Sequence, residues 1–80
     1  MFINKNVDGK NNICGTQVAL LRKKMDLSQR ELADKLQLLG LDVDKNAIQR
    51  IESGQRFVTD IEIVFLSKAL NATVNILLNI

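Results

Sequence analysis

The side chains best placed to act on another molecule lie in one stretch, Asp44-Lys45-Asn46-Ala47-Ile48-Gln49-Arg50-Ile51-Glu52-Ser53-Gly54. The stretch spells a short helix. Asp44 serves as N-cap, because its carboxylate accepts hydrogen bonds from the free N–H groups of the first turn. Gly54 closes the helix, since glycine enters the left-handed region without a Cβ clash. At roughly 100° per residue, Lys45, Asn46, Gln49 and Arg50 fall within an arc of about 140°. Ala47, Ile48 and Ile51 fall on the other side, ready for a core. Lys and Arg donate to guanine O6 and N7, and Asn and Gln pair with adenine N6 and N7. No carboxylate interrupts the arc, which suits a helix lying in a DNA major groove. A solvated helix face would carry the same residues, and the stretch alone leaves both readings open.

Composition narrows the choice. Eighty residues make one small domain near the lower limit for a self-sufficient core. With three Phe and neither Tyr nor Trp, the chain lacks the aromatic platforms that stack single-stranded bases. There is no His and one Cys, so neither a His-based triad nor a thiolate zinc cluster can be assembled. No cofactor or metal is expected. Cys14 has no disulfide partner within the chain, which fits a reducing cytoplasm. Residues 1–12 lack the apolar core of a signal peptide, and no apolar run approaches the roughly 18 residues of a membrane span. A cytoplasmic location is therefore expected. The net charge of +2 is only weakly basic, but its distribution is uneven. Eight basic residues face six acidic ones from Arg22 to Arg56, whereas beyond Arg56 Lys68 stands against Asp60 and Glu62. That places the basic surplus away from the C-terminal end, as a nucleic-acid face backed by a neutral packing end requires.

The elements that position the central helix follow from caps and periodicity. Residues 1–12 are Asn-rich without a helical period and read as a flexible arm, leaving 13–80 as the domain. Within the arm, Phe2, Ile3 and Val7 are apolar enough to pack locally or on a partner. Cys14, Val18, Leu21 and Met25 form an amphipathic stripe, predicting a first helix over about Thr16 to Met25. Ser28 with Glu31 makes a capping box that opens a second helix, Gln29 to Leu38, with Leu32, Ala33, Leu36 and Leu39 inward. Thr59 with Glu62 makes another, opening a helix from Asp60 to Leu70. Ile61, Val64, Phe65, Leu66, Ala69 and Leu70 cover much of its circumference, so it is central to the core or shared with a partner. Thr73 caps a last helix to Leu78, burying Val74, Leu77 and Leu78 and leaving Ile76 and Ile80 over. Five short capped helices with brief links define an all-α domain.

Taken in order, these pieces resemble the phage-repressor (Cro/CI-type, lambda-repressor-like) helix-turn-helix family. The resemblance is carried by Val18-x-x-Leu21-Arg22, Leu27-Ser28-Gln29-x-Glu31-Leu32-Ala33, Ala47-Ile48-x-x-Ile51-Glu52-x-Gly54 and the tail Leu66 to Leu78. It spans nearly everything beyond the arm. It implies a compact five-helix fold whose second and third helices form the motif, with Ala33 at their closest approach. It implies phosphate contacts from Ser28, Gln29, Gln55 and Arg56, and base reading by Lys45, Asn46, Gln49 and Arg50. It also implies an ion pair between Arg22 and Glu52 that orients the reading helix. One departure stands out. The family reaches its recognition helix through two or three residues after the position matching Leu36, and here residues 37–43 supply seven. A longer second helix and a wider turn are expected, and the tilt of Lys45 and Asn46 does not follow from the resemblance.

The expected function is sequence-specific binding of double-stranded DNA by a repressor-like transcriptional regulator, acting as a homodimer through its C-terminal helices. The alternative is a protein-interaction module of the same fold, an antitoxin-like subunit whose main ligand is a partner protein. Ile76, Ile80 and the apolar fourth helix motivate it. No enzymatic activity is expected, because the carboxylates sit at caps or solvated positions and Cys14 reads as a small buried hydrophobe.

Overall fold

The computed structural model describes residues 9–80, so residues 1–8, with Phe2, Ile3 and Val7, lie outside the described part. Five helices follow in order: α1 (Gly15–Lys24), α2 (Gln29–Leu39), α3 (Lys45–Glu52), α4 (Asp60–Ala69) and α5 (Val74–Leu78). Four of the starts are set by local chemistry. Ser28 Oγ accepts from the Glu31 N–H at 3.0 Å, while Glu31 reaches back to the Ser28 N–H at 2.8 Å. Thr59 and Glu62 repeat that reciprocal pair for α4, and Asp44 and Thr73 cap α3 and α5 through their side chains. Each such cap satisfies N–H groups that would otherwise lack an intrahelical partner.

The helices wrap one apolar centre. Val18, Leu32, Leu36, Ile48, Leu66 and Leu77 are fully buried, one or two from each helix. α2 packs on both α3 and α4, α1 packs on α3, and α5 closes the base against α1 and α4. Each helix thus hides the apolar stripe it cannot leave in water.

Three details differ from the sequence expectation. In α1 the buried positions are Gly15, Val18 and Arg22, whereas Met25 is exposed past the helix end and Leu21 is half-buried. Cys14 and Val18 are buried as expected, but the next inward position is taken by Arg22, turned to an ion-pair partner, rather than by Leu21. In α4, Ile63, outside the apolar set read from the sequence, is buried, while Ile61 and Val64 are exposed because the neighbours cover only one side, which fits the second of the two roles expected for this helix. Leu39 is also exposed.

The long link is anchored. α2 runs to Leu39, and Gly40 ends it at φ 110°, a left-handed backbone that favours glycine. The Leu41 N–H then returns to the Leu36 carbonyl at 2.9 Å. Val43 is buried in the core, and the Gln37 side-chain amide holds the Val43 carbonyl at 2.7 Å. The extra residues therefore lead into α3 through a plug and a clip.

Candidate nucleic-acid interface

α3 is amphipathic as its spacing requires. Ile48 and Ile51 are buried, Ala47 is half-buried, and Lys45, Asn46, Gln49 and Arg50 are exposed together. Asp44 stands at the N-terminus with Oδ1 accepting from the Ala47 N–H at 2.8 Å. Its carboxylate is thus occupied with backbone.

The position of α3 depends on a buried ion pair. Arg22 Nε lies 2.6 Å from Glu52 Oε2, and Arg22 Nη2 donates to Glu52 Oε1 at 3.1 Å. The fork also donates to the Leu27 carbonyl at 2.8 Å, and Gln29 Nε2 donates to the same Glu52 oxygen at 3.0 Å. The Glu52 carboxylate therefore joins the end of α3 to α1 and the start of α2, while Arg22 ties in the turn before α2. Its hydrogen bond to Arg22 outweighs burial and holds the guanidinium even more firmly protonated than usual. The expected Arg22–Glu52 pair is present. Gln29, expected at phosphate, has its side-chain amide committed to this network.

Arg56 is also engaged. Its Nη1 lies 2.8 Å from Glu62 Oε2, which ties the loop after α3 to the start of α4. Burial pushes the Glu62 carboxyl up, but the Thr59 N–H and the Arg56 guanidinium outweigh it and leave its pKa below the usual 4.5. Because the folded value is lowered, the stability from Glu62 is present above about pH 4.5 and is lost as pH falls through the folded value. Glu62→Gln is therefore expected to destabilise at neutral pH, with the gap to the parent protein closing on acidification below that point. Urea midpoints of both proteins across an acid series check this, and a gap independent of pH would refute it.

The remaining residues converge on one surface. An open depression of about 610 Å³ is lined by Asn46, Arg50, Gln55 and Arg56 together with Phe57 and the start of α4. A second of about 350 Å³ shares Asn46, Arg50 and Gln55 and adds Gln49 and Ser53. Lys45 borders a third depression with Arg30, Asp34 and Gln37 of α2. Ser28 is exposed at the N-terminus of α2. Among the described residues, the side chains of Lys45, Asn46, Gln49 and Arg50 enter no hydrogen bond or ion pair, unlike those of Gln29, Glu52 and Arg56. Among the described residues, no group of acidic, Cys or His side chains has the arrangement of a metal site, and no helix is long and apolar enough to cross a membrane.

A family profile described as helix-turn-helix matches residues 18–77, which include all five helices apart from the first three residues of α1 and the last of α5. This chain is a Cro/CI-type helix-turn-helix protein. The fold is accordingly of the lambda-repressor-like class, and the protein is a DNA-binding regulator of transcription. Among solved structures, this helix-turn-helix protein is similar to the restriction-modification controller protein C.AhdI from Aeromonas hydrophila. The two are 30% identical with a TM-score of 0.70, over 80% of this chain and 89% of that one. No curated protein sequence matches.

Sequence reasoning missed two groups. Asn11 and Asn12, read as part of the arm, are hydrogen-bonded to the end of α3 and the loop after it. Gly15 sits against the Ile51 carbonyl, with no room for a side chain. Neither leaves a periodic trace, because both contacts join residues far apart in the chain.

Proposed function

We propose that this protein reads double-stranded DNA in the major groove with α3, using Lys45, Asn46, Gln49 and Arg50 for bases. The observation that carries this reading is their joint exposure, with no side-chain hydrogen bond or ion pair among the described residues, on a helix fixed by the Asp44 cap and the Arg22–Glu52 ion pair. Side chains with spare donors and acceptors on a rigid element are what base recognition uses. Ser28, the N-terminus of α2 at Gln29, and Gln55 and Arg56 serve as phosphate contacts that set register. Gln29 acts there through its backbone N–H, since its amide supports Glu52. Arg56 presents whatever of its guanidinium Glu62 does not cover.

The protein acts as a homodimer through α4 and α5, where Ile61, Val64 and Ile76 are 65%, 47% and 47% exposed and Ile80, just past α5, is 81% exposed. A dimer of this kind places two α3 helices in successive major grooves about 34 Å apart on a palindromic site. Those same residues favour the alternative, a partner-protein ligand in the manner of an antitoxin-like subunit.

Selection from a random duplex pool tests the reading, and a palindromic consensus is the expected result. Arg50→Ala or Gln49→Ala is expected to cost about 1–3 kcal/mol on that site and relax specificity at one position. An unchanged ratio of specific to random affinity removes those residues from the reading face. Absence of salt-dependent duplex binding would leave the partner-protein alternative.

A further inference from the structure

The segment before α1 forms a clasp. The Asn11 backbone N–H donates to the Gly54 carbonyl at 2.8 Å, and the Asn11 side-chain amide donates to the Gln55 carbonyl at 2.8 Å. Asn12 Nδ2 donates to two carbonyls, Ile51 at 3.1 Å and Arg56 at 2.7 Å. Its Oδ1 accepts from the Gly15 N–H at 2.9 Å, so the same side chain finishes the start of α1. The Lys10 side chain lies over Gly54 so closely that an added Cβ there would fall 2.7 Å from Lys10 Cγ. Every residue from Gly54 to Arg56 thus has its carbonyl held by this segment. Gln55 and Arg56 are also bonded through their backbone N–H groups to the Arg50 carbonyl, so the loop is held from both sides.

We infer that Asn11 and Asn12 are positioning residues for DNA binding, holding the 54–56 loop in the shape that presents Gln55 and Arg56 to phosphate. This rests on the DNA reading of the preceding section. The clasp touches main chain only, so it fixes where the loop sits and leaves its side chains available. Its contribution is to affinity and register, because phosphate contacts carry no sequence information. Without it, the carbonyls of residues 54–56 turn to water and the loop samples other shapes.

The test measures duplex affinity against salt concentration for the parent protein, Asn11→Ala, Asn12→Ala, Gln55→Ala, Arg56→Ala and the Asn11→Ala/Gln55→Ala double variant. Asn11→Ala is the informative single change, since it leaves the cap of α1 intact and guards against the case that Asn12→Ala fails to fold. Asn11→Ala is expected to weaken binding about five- to tenfold on preferred and random duplex alike. The slope of log affinity against log salt should fall by about 1, as when a phosphate contact is lost. The double variant should lose little more than either single variant, because the clasp acts through the loop. A merely structural role would give additive losses and an unchanged slope, and that result overturns the inference. If the parent binds duplex and Asn11→Ala binds equally well, the inference fails alone. If the parent shows no salt-dependent duplex binding, the DNA reading fails with it.

Discussion

Glu52→Ala is expected to lower the unfolding free energy by about 3–5 kcal/mol, the range for removing one member of a buried ion pair. The Glu52 and Arg22 side chains are 9% and 11% exposed. Without the carboxylate, the Arg22 guanidinium keeps only the Leu27 carbonyl, and the Gln29 amide loses its acceptor as well. A domain of this size commonly has only about 5–15 kcal/mol in total, so the variant should be largely unfolded at modest urea concentrations. Converting both partners, as Arg22→Met with Glu52→Leu, should recover most of the loss, since desolvation and attraction are then removed together. Urea titrations of both variants provide the comparison. A loss below about 1 kcal/mol for Glu52→Ala would mean that the pair behaves as a solvated surface bridge.

Gly15→Ala is expected to destabilise by about 3 kcal/mol or more, the upper range for forcing atoms into a packed site. Helix propensity alone favours the change by at most about 1 kcal/mol. Space decides the sign. An added Cβ would overlap the Ile51 carbonyl oxygen and fall 2.9 Å from Asn12 Oδ1 and 3.2 Å from the Glu52 carbonyl oxygen. Two of these atoms are main chain of α3, and they move only if the helix moves. The variant should therefore lose duplex affinity even where it remains folded, which denaturation and binding measured together will show. Thr16→Ala, at the exposed neighbouring position, is the control and should be nearly neutral. Equal stability of Gly15→Ala and the parent would mean that α1 and α3 slide apart at little cost.

What was legible in the sequence is what is local. Ser28 with Glu31 and Thr59 with Glu62 announce their helices because each box closes within one turn. Asp44 and the polar arc announce α3 in the same way. The Arg22–Glu52 pair spans thirty positions, and only the family resemblance pointed to it. Asn11 and Asn12 reach 39 to 44 positions ahead, and an Asn-rich run has the composition of a disordered arm, so nothing local marked them as ordered. The surplus residues of 37–43 were countable, but the buried Val43 and the Gln37 clip depend on where α3 comes to rest. For α4 hydropathy left two readings open, a central core helix or one shared with a partner, and it could not say which side of the helix the neighbours leave uncovered at Ile61 and Val64.

The anchoring of α3 has a consequence for the thermodynamics of recognition. A helix of eight residues is well short of the roughly 12–15 at which isolated helices become even marginally stable. Here it is fixed at the front by Asp44 and Val43 and at the back by Glu52, Asn12 and Gly15. Its conformational entropy is surrendered when the domain folds, before any duplex arrives. On the proposed reading of DNA by α3, preorganisation of this kind removes ordering of that helix from the binding step and leaves discrimination between sites to side-chain contacts and to the bending energy of the DNA itself.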